Sequence, residues 1–342
     1  MNPLPHWIEL LGLTSPWTYG ALFLAASLLL VWRLEALLDH GLEGTALATL
    51  VMPYCSGLGN LLLVWIVARQ NGPAGEIAVN AVVNNMTNLT LLLGLPALIW
   101  GLRLTAGAAP GTGGKARGKR KSAGVDPDLP RRLNKLALLL TLTAGLFFTG
   151  AVWALGRDGA IDLGDGLVLV GLFAFWQTVQ AHDVLKHNAR QRVVFSPFFY
   201  ADIALVLLGA WGMFTGLEWI VTWLSSLETG FVSAANLGWL TGWLMVIPNA
   251  LLAFYYAHRR RAEVVFASQI GDGHICIPLM IGLYALWQPV PVSATMSSGL
   301  LLIGGALIVH LGCVLALGGL PRWLGAVLIA AYGWFVWTGL AG

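Results

Sequence analysis

Four asparagines, Asn80, Asn84, Asn85 and Asn88, fall within nine residues of one apolar run, and three of them recur at every fourth position. That interval lines their amides along one face of a helix. A second apolar run places Ser268, Asp272 and Cys276 at the same interval. An aspartate at the centre of a membrane span costs about 2.5 to 3.5 kcal/mol on insertion scales, so a bound cation, a captured proton or a partner side chain must offset it. The chemistry these residues suit is coordination of a cation by oxygen. Asp272 would be the charged ligand, with Asn60, Asn84, Asn85, Asn88, Asn249, Ser268 and Asn80 supplying further oxygens.

The competing reading of the asparagine stripe is interhelical adhesion, worth around 0.6 kcal/mol per amide. Four amides in one stripe, echoed by Ser268 and Asp272 in a second run, favour an ion site over adhesion alone. His274 stands two residues from Asp272 and faces away from it on a regular helix; a proton relay is open to it, but a satisfied interhelical hydrogen bond is the preferred account. Thr87 and Thr90 read as packing residues. Cys55 and Cys276 read as small, polarizable fillers. His182, Asp183 and His187 lack metal spacing and read as solvated linker, and Asp202 and Glu218 sit near the ends of a span where water is within reach.

These residues need elements to position them, and the composition says which. Of 342 residues 57% are hydrophobic and 10% charged, against about a quarter charged in a soluble domain. Apolar runs of roughly twenty residues, enough to cross about 30 Å of hydrocarbon, recur along the whole chain. The expected fold class is an all-α polytopic membrane protein of about ten transmembrane helices. The spans are expected at about 17 to 38, 46 to 68, 77 to 101, 136 to 156, 163 to 181, 199 to 222, 232 to 257, 264 to 286, 295 to 317 and 321 to 340. Trp17, Trp100, Trp219 and Trp287 near span ends suit the interfacial aromatic belt. Three cysteines, all in apolar runs, offer neither a disulfide framework nor a zinc pattern. The segment from Met1 to Trp17 has no basic n-region, so the first span is expected to be retained.

Orientation follows from charge. With both termini outside, 17 of the 19 Lys and Arg lie on the inner side, and only Arg69 and Arg157 lie outside. Basic residues are retained on the cytoplasmic face, so the partition supports the span count and the orientation together. The chain then divides into a first repeat at 1–102 (spans one to three), a basic cytoplasmic loop at 103–135, the rest of the first repeat at 136–182 (spans four and five), a cytoplasmic linker at 183–198, and a second repeat at 199–342 (spans six to ten). The loop carries Lys115, Arg117, Lys119, Arg120 and Lys121, and is read as a flexible topology signal that could also attract anionic lipid.

The halves are related. An offset of 188 carries Asn80 onto Ser268, Asn84 onto Asp272, Asn88 onto Cys276 and Gly94 onto Gly282. Spans two and seven correspond at 188 or 189, each interrupted near its centre: Pro53, Gly57 and Gly59 precede Asn60, and Pro248 precedes Asn249. Pro removes a backbone donor, so helix breaks are expected at Pro53, Gly57, Gly59 and Pro248, and also at Gly271 and Gly273 beside Asp272. Interrupted helices in both halves point to a transporter's binding site. Five spans per half is an odd number, so the copies must be inverted.

The motifs Asn80-Ala-Val-Val-Asn84-Asn85-Met-Thr-Asn88 with Gly94, and Ser268-Gln-Ile-Gly271-Asp272-Gly273-His-Ile-Cys276 with Gly282, resemble the alpha-repeats of the cation/Ca2+ exchanger superfamily, the sodium/calcium exchanger-like membrane proteins. The resemblance covers both repeats and the ten-span plan. It implies a secondary active cation antiporter working by alternating access, with Na+, Ca2+ or H+ as transported ligands, no cofactor and no enzymatic activity. The departures fall at the ion site: the family's glutamate in each broken helix appears as Asn60 and Asn249, and its Gly-Ser-Asn triplets as Val83-Asn84-Asn85 and Gly271-Asp272-Gly273. Calcium favours several carboxylates, and Asp272 alone suits a monovalent ion or Na+/H+ exchange better. Alternatives are a passive cation channel and a non-transporting membrane scaffold. The expected partners are the lipid bilayer and inorganic cations, with no nucleic acid. A bacterial inner membrane is the expected location. No metalloprotease helix or serine elbow supports an intramembrane enzyme.

Overall fold

A computed structural model describes residues 15–39, 52–104, 129–188 and 197–341. Hydrocarbon offers the backbone no hydrogen-bond partner, so an apolar run of this length must bond to itself as a helix. Ten long helices follow one another among the described residues: α1 Pro16–Asp39, α2 Met52–Arg69, α3 Ala74–Trp100, α4 Leu129–Leu155, α5 Leu163–Asn188, α6 Pro197–Ser225, α7 Leu237–His258, α8 Ala262–Ala285, α9 Ala294–Leu317 and α10 Arg322–Ala341. Eight of them are long and apolar enough to span a membrane, and the α2 segment Gly57–Arg69 is a shorter apolar helix. The protein is therefore an integral membrane protein.

The repeat is visible in the backbone to the residue. Helix α3 widens into a π-helical turn over Thr87–Leu92, and α8 does so over Ile275–Met280. The offset of 188 read from the side chains carries Ala74 onto Ala262, Thr87 onto Ile275 and Leu92 onto Met280. A proline accompanies each wide turn, Pro96 just beyond the first and Pro278 inside the second. A proline ring clashes with the carbonyl four residues back, and a wider turn relieves that clash.

The same symmetry operates between helices. Near its C-terminal end α3 meets α10 where Gly94 faces Gly325, and α8 meets α5 where Gly282 faces Gly166. A Cβ on Gly325 would lie 2.5 Å from the Gly94 carbonyl oxygen, and one on Gly166 would lie 2.9 Å from that of Gly282. Only glycine permits these backbone contacts.

Two short antiparallel strand pairs tie the loops. Leu102–Arg103 (β1) pairs with Gly319–Leu320 (β4), and Ala160–Ile161 (β2) pairs with Val290–Pro291 (β3). The connections after α3 and α9 thus share one end of the bundle, and those after α4 and α8 share one end too. Ten alternating spans require both pairings. The first and sixth helices lie along one another, with Gly216 against the Phe23 backbone and an ion pair at 3.0 Å between Arg33 and Asp202.

Several sequence expectations are corrected. The helix breaks are not where Pro and Gly suggested: Gly57 and Gly59 lie inside continuous α2, Pro248 inside continuous α7, and Gly271 and Gly273 inside the regular part of α8. Pro53 falls in the first turn of α2, where its missing N–H has no helical partner to lose. Distortion instead appears in α3 over Thr87–Leu92, which includes Asn88 at the end of the asparagine stripe, and in α8 over Ile275–Met280, three residues past Asp272. The loop expected at 103–135 ends earlier, because α4 begins at Leu129, and Lys135 of that helix reaches across to donate to the Leu315 carbonyl of α9 at 2.9 Å. The linker expected at 183–198 is shortened from both sides, by α5 as far as Asn188 and α6 from Pro197. Asp202 does not rely on water: it is buried against Arg33. Lys115 to Lys121, Met1 to Thr14 and the first part of the expected second span lie outside the described residues.

Candidate functional site

Helices α2, α3, α7 and α8 cross at mid-length, and each brings a polar side chain to the crossing. Asp272 of α8 is fully buried. Its Oδ2 accepts from Asn88 Nδ2 of α3 at 2.8 Å and from Asn249 Nδ2 of α7 at 3.1 Å. A carboxylate offers only acceptors, so both amides must present nitrogen to it. Asn88 Nδ2 also donates to Asn84 Oδ1 at 2.8 Å, and Asn84 Nδ2 donates to Asn60 Oδ1 of α2 at 3.3 Å. A directional chain of amides therefore runs from α2 through α3 to the acid on α8. The i, i+4 spacing of Asn84 and Asn88 makes it possible, since it stacks the two amides on one face.

Ser268 and Gln269 extend the cluster along α8. Gln269 Nε2 donates to the Asn249 main-chain oxygen at 3.3 Å and to Ser268 Oγ at 3.1 Å, while Ser268 donates to the Val265 carbonyl at 3.1 Å. Sequence reasoning passed over Gln269. Its distance of three residues from Asp272 on a helix was the available signal.

The other two asparagines are placed differently. Asn85 donates to the Ala81 carbonyl at 2.7 Å and lies against Gly273, where a Cβ would come within 2.5 Å of its Oδ1. Gly273 thus seats an amide rather than breaking a helix. Asn80 donates to Thr241 Oγ1 of α7 at 2.9 Å and joins α3 to α7 away from Asp272. His274 turns to α4, with Nε2 3.0 Å from the Thr141 carbonyl and its ring edge-on to Phe148 and Trp176. Cys276 is buried in the core. Thr87 and Thr90 return their hydroxyls to the Val83 and Met86 carbonyls of their own helix.

The balance of donors and acceptors is uneven. Among the described residues, Asn80 Oδ1, Asn88 Oδ1, Asn249 Oδ1 and Gln269 Oε1 are buried acceptors without a hydrogen-bond donor, whereas Asn60 Nδ2 is the one amide donor left over. Buried polar atoms are ordinarily satisfied, and an excess of carbonyl oxygen around a carboxylate fits a cation as the missing partner. No group of three or more His, Cys, Asp and Glu side chains that could hold a metal occurs among the described residues. A small hollow lies beside the crossing, between Phe23, Ser27 and Val31 of α1, Met213 of α6, and Gly59, Met245 and Pro248. Gly59 and Pro248 immediately precede Asn60 and Asn249, so the hollow marks where the α1/α6 pair packs against the helices of the site.

Comparison with known proteins is consistent with this architecture. Residues 18–181 match the family model described as sodium/calcium exchanger protein. The fold is similar to that of the sodium-calcium exchanger NCX_Mj soaked with Na+ and Sr2+, at 18% identity and a TM-score of 0.63 over 96% of this chain and 98% of that one. It is also similar to the H+/Ca2+ exchanger CAX, at 16% identity and a TM-score of 0.69 over 96% of this chain and 81% of that one. A comparison with curated proteins finds no significant match. The family model thus covers just under half of the chain, and the fold of the whole chain is shared with these two exchangers. The matched stretch ends within α5, in keeping with a second repeat whose motifs depart further from the family pattern.

Proposed function

We propose that the chain is a secondary active cation antiporter that works by alternating access around a site at the crossing of α2, α3, α7 and α8. The observation that carries this reading is Asp272: a fully buried carboxylate, held by amides from two other helices, where two inverted repeats meet. Ions of this kind are transported cargo, and no cofactor is required. Asp272 is the charged ligand, and Asn88, Asn249, Asn84, Asn60 and Ser268 contribute oxygens or orient those that do; Asn80 and Asn85 belong to the flanks. The family-model match and the likeness to two exchangers support the transport class. The α1/α6 pair, which packs on α2 and α7 beside the site, is the element that moves. The partition of basic residues supports an orientation with both termini outside, and a bacterial inner membrane is the location proposed.

The test is flux in proteoliposomes. Counterflow of cation that saturates and requires an opposing cation is expected from the purified chain, and Asp272→Asn is expected to reduce it to the level of protein-free vesicles. Flux that survives Asp272→Asn would remove Asp272 from the mechanism, and conductance without an opposing ion would make the protein a channel.

A further inference from the structure

Resting on that reading of the site, we infer that it takes one monovalent alkali cation and not Ca2+, and that the amides of Asn60, Asn84 and Asn88 reverse end for end when the cation arrives. Charge carries the first half of the inference. Asp272 is the one acid among the hydrogen-bonded residues of the crossing, and no cluster of acids or histidines joins it among the described residues. Glu76, the half-buried acid of α3, is spent at the far end of α7, where it accepts from the Gly238 N–H at 2.6 Å. A divalent cation sheds a tightly held hydration shell and needs several carboxylates to offset that cost. One carboxylate with neutral carbonyl oxygens leaves a net positive charge if the ion is divalent, and none if it is monovalent.

The amide chain carries the second half. As it stands, Asn84 donates to Asn60, Asn88 donates to Asn84, and Asn88 and Asn249 donate to Asp272. Both amides thus present N–H groups to Asp272 Oδ2, which leaves Asn60 Nδ2 without an acceptor and Asn88 Oδ1 and Asn249 Oδ1 without donors. Rotating all three amides of the chain lets Asn60 donate to Asn84 and Asn84 donate to Asn88. Asn88 Oδ1 then turns toward an ion held on Asp272, and Asn249 Oδ1 can turn likewise. Every bond of the chain is kept and its polarity is inverted, while the amide nitrogen without an acceptor passes from Asn60 to Asn88. A side chain with an oxygen and a nitrogen on one carbon can serve both states; an ionised glutamate in its place has no donor to offer Asp272. Occupancy of the site is thereby communicated to α2 through hydrogen bonds.

Ion-dependent thermal stability of the full-length protein in detergent separates the outcomes, using LiCl, NaCl, KCl and CaCl2 against choline chloride at matched ionic strength. At least one of the three alkali ions is expected to raise the melting temperature saturably, with CaCl2 no better than choline chloride. Asn88→Asp adds a second carboxylate and removes an N–H donor, and is expected to shift the preference toward CaCl2 by at least tenfold in midpoint concentration. Asn60→Leu, at the end of the chain away from Asp272, is expected to weaken the alkali-ion midpoint severalfold, because the reversed chain loses the donor to Asn84 Oδ1. Stabilisation of the wild-type protein by CaCl2 at lower concentration than by any alkali ion overturns the monovalent assignment while leaving the cation site intact. An unchanged midpoint in Asn60→Leu overturns the amide reversal. Absence of any cation effect together with absence of flux removes the transport reading itself. The wild-type comparison stands even if a variant does not fold.

Discussion

In α3 the face from Asn80 to Asn88 is all amide, whereas the same face of α8, 188 residues on, carries Ser268, Asp272 and Cys276. The helices otherwise correspond in start, wide turn and glycine contact. One wall therefore holds the charge and the other holds the reversible hydrogen bonds. In an inverted pair the frame is constrained by packing, which both copies must satisfy to close the bundle. The chemistry has no such constraint, and the two copies of the stripe have become complementary rather than alike.

The strongest way to break that comparison is to move the charge. Asp272→Asn alone is expected to abolish flux, and adding Asn84→Asp, which places the acid at the equivalent position of the first repeat, is expected to restore a measurable fraction of it. Proteoliposome counterflow of both variants decides whether the site reads total charge or its address. Next in size are the glycine contacts. Gly325→Ala sets a Cβ 2.5 Å from a carbonyl oxygen and 2.6 Å from the Leu98 nitrogen, while Gly166→Ala meets Gly282 O and the Ala285 Cβ at 2.9 Å. The first is expected to cost about 3 kcal/mol and the second nearer 1 kcal/mol, measured by unfolding in detergent.

A smaller effect is expected from cutting the amide chain in its middle. Asn84→Leu removes the acceptor for Asn88 and the donor to Asn60, and should destabilise by about 1 to 3 kcal/mol, the cost of stranding buried polar groups. Asn80→Ala sharpens the contrast from the other side. It removes one bond to Thr241 away from Asp272, so a loss near 0.6 kcal/mol with flux retained is expected. A large loss of flux in Asn80→Ala would mean that the whole stripe, and not its Asn84–Asn88 part, serves the ion.

Much of the fold was legible in the chain. Runs of apolar residues, the sidedness of Lys and Arg and the 188-residue offset together imply ten helices in two inverted sets, because hydrocarbon admits little else and basic residues mark one face. The candidate cluster was legible too, since Asp272 and the asparagine stripe are costly unless they meet. The positions of the helix distortions were not. Pro248 and Gly273 suggested breaks, but a helix surrounded by protein can absorb a missing donor, and the glycine proved to be space for Asn85.

Residue types and spacing by themselves determined that polar side chains must converge within a membrane and which ones were available, because burial cost and helical periodicity depend only on the chain. Tertiary structure alone decided which amide faces which. Asn80 goes to Thr241, Asn85 to its own helix and against Gly273, His274 to α4, and Asn88 and Asn249 to Asp272. The physical reason is that an amide can satisfy itself in many directions, and only the rotation and crossing of packed helices selects one.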